Sequence, residues 1–170
     1  MCIALERYQI SQLKAGGEKK VEIDNIVDLE TIKTNMHAKN KDDALKELAE
    51  LLLQNEYISD VNGFMTDIYA REAEGQTGIG NYIAIPHGKS SFVKKIGVAI
   101  GINEDEIPWE TLDGNGVKGV ILFAVGNDND GAQNHLKLLS LFARKLGNDE
   151  VVENLLQSKN AEDVKEAFGQ

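Results

Sequence analysis

The run VILFAV at 120–125 constrains this chain more than any other stretch. It is apolar at every position, so neither side of a strand built from it suits water, and it reads as a strand buried on both faces. Such a strand needs helices above and below, and the chain supplies them. Ala44, Leu45, Leu48, Leu51 and Leu52 mark the apolar face of a helix through about residue 55, with Asn40 as N-cap and Asp42 and Asp43 in its first turn. A second helix starts from Asp60 and turns Val61, Phe64, Met65, Ile68 and Tyr69 inward, with Arg71 near its C-terminal end. A third, over about 131–147, carries Leu136, Leu139, Phe142, Ala143 and Leu146 on its inner face. Two shorter helices follow near 149–157 and 161–168, the last capped by Asn160. Strands are expected near 29–37 and over 82–85, 95–102 and 116–125, with a long polar loop holding Trp109 between the last two. Helices interleaved with buried strands give an α/β sandwich.

At 170 residues the chain suits one domain with its own core. Residues 1–24 mix charges with Gly16 and Gly17 and show no sustained period, so they read as an N-terminal tail or appended element, and 25–170 as the domain. A net charge of −10 argues against a nucleic-acid surface. The single cysteine, Cys2, cannot form an internal disulfide and suggests no metal cluster. No apolar run approaches a membrane span and no basic-then-apolar leader opens the sequence, so a cytoplasmic protein without membrane insertion is expected.

The chemistry concentrates in REAEGQTGIGNYIAIPHGKS, residues 71–90. Gly75, Gly78 and Gly80 allow tight turning and close approach, and an apolar strand follows. Pro86 ends the strand and sets the exit direction, so His87 is carried on a rigid strand end with Gly88 beside it. A P-loop needs a glycine where Ile83 stands, and the dinucleotide fingerprint fails at the same residue. His37, His87 and His135 lack any metal-ligand spacing, and no serine sits in a nucleophile-elbow motif. What remains is His87 itself, because a neutral imidazole is a good nucleophile near pH 7. A phosphoryl electrophile would also need a cation and N–H donors, for which Arg71, Lys89, Ser90 and His135 are available. On the residues alone, a His87 that merely caps a strand end and contacts solvent is an equal alternative. Arg71 paired with a carboxylate, His135 as a hydrogen-bonded core histidine, and Lys89 and Ser90 as surface residues are the corresponding plain readings.

TGIGNYIAIPHGKS, preceded by Arg71 and Glu72 and followed by QNHLKLLSLFARKL, resembles the fructose/mannitol-type enzyme IIA domain of the bacterial phosphoenolpyruvate:sugar phosphotransferase system, over about 28–168. The resemblance implies a single mixed β-sheet flanked by helices on both sides, a three-layer sandwich. It implies that His87 accepts a phosphoryl group from the phosphocarrier HPr and donates it to a cysteine of a IIB domain. His135 matches the family's second active-site histidine, and Arg71 the arginine of its Arg-Glu pair. It implies no cofactor and no metal, and only indirect association with a IIC transporter. Tyr82 departs from a usual small residue and Gly126 from a common proline. The PWETLDG loop and HGKSSFV lean toward fructose-type sugar uptake, while the nitrogen-regulatory branch, a phosphorylation-dependent binding switch, shares TGIGN and AIPHGK.

Overall fold

A computed structural model describes residues 23–169. The tail expected over 1–24, with Cys2, lies outside the described residues except for its last two, which open a short helix, α1 (Ile23–Ile26). Then come β1 (Val27–Met36), α2 (Lys41–Gln54), α3 (Val61–Glu72), β2 (Gly78–Gly80), β3 (Ile83–Ala84), β4 (Gly97–Ile107), β5 (Val117–Ala124), α4 (Asn129–Leu146), α5 (Asp149–Leu156) and α6 (Ala161–Gly169). The strands form one mixed sheet in the order β1-β4-β5-β3-β2. β1 is parallel to β4 and β3 to β5, while β4–β5 and β2–β3 are antiparallel.

The VILFAV run sits in the middle of this sheet and splits by parity. Val120, Leu122 and Ala124 join a core with α2 and α3. Ile121, Phe123 and Val125 join a second core with α1, α4, α5 and α6. The result is a three-layer α/β sandwich, helices on both sides of one sheet. Asn40 and Asp60 cap α2 and α3 by accepting the N–H groups of Asp43 and Gly63, which satisfies donors that a helix start leaves unpaired. No described helix is long and apolar enough to cross a membrane.

Four expectations need correction. β4 runs on through Asn103 to Ile107, so the Trp109 loop starts later; buried Asn103 accepts the Ala38 N–H and donates to its carbonyl, and Ile107 pairs with Val117. Glu104–Glu106 are exposed on this extension, which is why it read as loop. Tyr82 is not a strand residue: with Asn81 it forms a two-residue connection between β2 and β3, both with positive φ, 54° and 64°. Such a turn favours glycine at its second position. Tyr69 is 37% exposed, its hydroxyl bonded to Asp42. On α4 the inner face is Leu138, Phe142 and Leu146, while Leu136 is 51% exposed and Ala143 lies outward. Four leucines in HLKLLSL permit either phase; Phe142, edge-on to Phe123 and to Phe168 at 5.2 Å each, settles it.

Candidate functional site

The corrected phase of α4 brings His135 to the sheet. Residues 135, 138, 139 and 142 recur at helical spacing, so the face that buries Leu138 and Phe142 also carries His135. His87 arrives from the other direction. Beyond β3 the chain continues beside the end of β5, where Phe123 N–H donates to the Pro86 carbonyl at 3.1 Å and Ser90 N–H to the Val125 carbonyl at 3.0 Å. Gly88 lets this segment press on α3: a Cβ there would lie 3.0 Å from the Asp67 carbonyl oxygen. Both histidines therefore stand beyond the carboxyl ends of the parallel strands β3 and β5, a common position for sites in α/β sheets. Their rings are 4.8 Å apart, edge to face at 63°.

Nδ1 of His87 lies 2.7 Å from the Ile85 carbonyl oxygen. A carbonyl only accepts, so Nδ1 carries the proton and the neutral ring keeps its lone pair on Nε2. Burial lowers the His87 pKa below the ordinary histidine value; the Ile85 hydrogen bond opposes this, Arg71 adds to it, and Glu72 and Glu74 oppose it. His135 is pushed further, to about 4, by burial and by the proximity of His87, Lys89 and Arg71. Its Nε2 is buried with no hydrogen-bond partner. A buried polar atom without a partner calls for an explanation, and an arriving ligand provides one.

Arg71, near the end of α3, donates from Nη1 to the Gly75 carbonyl at 3.1 Å and makes no ion pair among the described residues. The carboxylate-paired reading of Arg71 is thus replaced by a lean toward the glycine turn. Lys89 is exposed, but Ser90 is 1% exposed, and its Oγ accepts the Phe92 N–H at 3.2 Å. Ser90 caps a turn rather than lying on the surface. His37 is elsewhere, paired with Glu104 at 3.0 Å. Among the described residues no three His, Cys, Asp or Glu side chains converge to hold a metal.

Sequence reasoning missed a polar group beneath this site. Lys41, at the start of α2, bridges Glu72 at 2.8 Å and Glu110 at 2.7 Å, with its Nζ 5.0 Å from the centre of the Trp109 ring. Burial disfavours the Lys41 charge, but these two carboxylates outweigh it and raise its pKa. The Trp109 Nε1 is buried without a partner. Only the adjacency of Glu72 to Arg71 hinted at this group; Lys41 lies 31 residues from Glu72 in sequence.

Residues 25–170 match the family described as "Phosphoenolpyruvate-dependent sugar phosphotransferase system, EIIA 2". The chain belongs to this family. The fructose-specific EIIABC component of Bacillus subtilis is 30% identical over 88% of this chain, and the chain spans only 23% of that protein's length. The crystal structure of the nitrogen regulatory protein IIA-Ntr from Neisseria meningitidis superposes with a TM-score of 0.77 at 28% identity, covering 86% of this chain and 98% of that one. The mannitol enzyme IIA in complex with phosphorylated enzyme IIB from Escherichia coli shares the fold, with a TM-score of 0.71 at 21% identity over 84% of this chain and 96% of that one. The EIIA type-2 match thus begins close to where the described structure begins.

Proposed function

We propose that His87 is the phosphoryl acceptor of a sugar phosphotransferase relay. It takes the group from HPr and passes it to a IIB cysteine, in the cytoplasm, for fructose-type sugar uptake. The observation that carries this reading is the fixed tautomer of His87, with Nδ1–H held by Ile85 and Nε2 left with its lone pair. In the first step Nε2 attacks phosphorus, the N–P bond on HPr breaks, and its electron pair returns to the HPr imidazole. The His87 proton stays on Nδ1, where the Ile85 carbonyl shares the positive charge the ring acquires. In the second step a IIB thiolate attacks, the new N–P bond breaks, and its pair returns to Nε2. Arg71 balances the phosphoryl charge, and His135, neutral at pH 7, contributes its unpartnered Nε2 as an N–H donor rather than as a cation. The association of a mannitol enzyme IIA with phosphorylated IIB in a protein of the same fold supports the choice of IIB as acceptor. Membership in a family that also appears in EIIABC proteins supports an indirect link to a IIC transporter.

The likeness to the Neisseria nitrogen regulatory protein supports a second reading, in which phosphorylation of His87 switches the binding of a target protein. Incubation with phosphoenolpyruvate, enzyme I and HPr, followed by intact-mass measurement, tests the shared step. A gain of one phosphoryl group, absent in His87→Ala, is expected; a protein that stays unmodified beside phosphorylated HPr would sink the acceptor assignment. Loss of the group on adding IIB favours the relay, and phosphorylation-dependent binding without onward transfer favours the switch.

A further inference from the structure

Glu72 closes α3, where the helix dipole disfavours a carboxylate, and yet its side chain is only 5% exposed. Local helix preference does not account for it. One carboxylate oxygen accepts the Thr77 hydroxyl and the other accepts Lys41 Nζ at 2.8 Å. Thr77 is itself buried, and its backbone carbonyl accepts the Ile85 N–H at 2.9 Å. Ile85 in turn offers its carbonyl to His87 Nδ1 at 2.7 Å. The line of contacts runs from α2 through α3 and the glycine turn to the imidazole.

We propose that Glu72 is a positioning residue for His87: through Thr77 and Ile85 it fixes the carbonyl that selects the imidazole tautomer, and Lys41 fixes Glu72 in turn. Neighbouring Arg71 ties the same turn at Gly75, so consecutive residues of α3 hold it at two points. The assignment rests on the acceptor reading of His87 and adds to it the source of the ring's orientation. Glu72 also acts through its charge. The groups facing His87 are Arg71 and Glu72 from α3, Glu74 from the turn and His135 from α4, with Lys89 close to His135. Besides the Ile85 carbonyl, Glu72 and Glu74 favour a proton on the ring.

The test uses the whole chain, unphosphorylated, with ¹⁵N-labelled histidine, comparing the wild type with Glu72→Gln, Thr77→Val and Thr77→Ser. Ring ¹⁵N shifts read the tautomer and its titration, which a merely structural role would leave alone in a folded variant. In the wild type Nδ1–H should dominate. Glu72→Gln and Thr77→Val should populate the other tautomer, Glu72→Gln should also lower the His87 pKa, and phosphoryl uptake from HPr should slow about ten- to a hundredfold, as misplaced reacting groups do. Thr77→Ser should restore both readings. If folded Glu72→Gln and Thr77→Val keep the wild-type tautomer and uptake within twofold, the positioning role is overturned; it is equally overturned if Thr77→Ser behaves as Thr77→Val. Should Glu72→Gln fail to fold, the threonine pair decides by the same readings. A wild type that takes no phosphoryl group would overturn the acceptor reading alone, because the tautomer is read without phosphorylation.

Discussion

His87 and His135 stand ring to ring, and the chain holds them in opposite ways. His87 lies between two backbone bonds, one from Phe123 of β5 to Pro86 and one from Ser90 to Val125 just past that strand, with Nδ1 already committed to Ile85. His135 hangs from a helix whose grip on the sheet is apolar, through Leu138, Phe142 and Leu146, and its Nε2 is committed to nothing. The strand arm therefore fixes where a reacting atom sits and which nitrogen carries the lone pair. The helix arm supplies a polar atom whose partner arrives only with the substrate. A site divided this way needs rigidity on one side and an unmet hydrogen bond on the other.

Substitution separates the two arms most sharply. With His87→Ala, intact-mass measurement should show no phosphoryl uptake at any time, while circular dichroism stays that of the wild type. His135→Ala should slow uptake by about 10²–10³-fold, the usual cost of removing one donor to a developing charge, yet labelling should still reach completion. If the two variants fail equally, the division of labour is wrong. The grip of the helix arm can be broken directly: Phe142→Ala empties the space between Phe123 and Phe168 and should destabilise by about 3–5 kcal/mol in urea unfolding.

A pH series sharpens the comparison further. His135 titrates near 4 in the folded protein, below an ordinary unfolded histidine. The unfolded chain thus binds a proton that the folded one refuses, so this contribution is complete above pH 6.5 and is lost as pH falls toward 4. After allowance for solvent screening of the part-exposed ring it is about 1–2 kcal/mol, and it should appear as a pH-dependent difference in stability between wild type and His135→Gln, which has no group to titrate there. Burial lowers the His87 pKa, so protonation should depress phosphoryl uptake only at a pH below that at which an ordinary imidazole titrates. The smallest effect is at the far end of the strand arm. Tyr82→Gly should stabilise by up to about 1 kcal/mol, since glycine accepts the positive φ that tyrosine resists. A neutral or destabilising result would mean that the ring makes good the backbone cost.

The sequence made the strand arm legible and left the helix arm blurred. VILFAV announced a strand buried on both faces, and Pro86-His87-Gly88 announced a stiff exit, because each depends on near neighbours. Asn40 and Asp60 were readable as caps for the same reason. The phase of α4 was not, since leucines at 136, 138, 139 and 141 fit two faces, and only packing against Phe123 and Phe168 chooses. β4 outran its apolar segment because Glu104–Glu106 face outward while Ile107 still pairs with Val117. The Lys41–Glu72–Thr77 group was invisible for a different reason: two helices and a turn must meet before it exists.

The placement of Trp109 gives the molecule an optical property. It is the sole tryptophan, so all indole emission comes from one place. Its ring lies beneath the Lys41 ammonium, which is tethered to the carboxylate that holds the Thr77 turn. A cation over an indole face shifts the energy of its excited state, and the ring is 8% exposed, so bulk water contributes little to the colour. The spectrum of the unlabelled protein consequently reads the state of a salt bridge two contacts away from Ile85, without any dye attached.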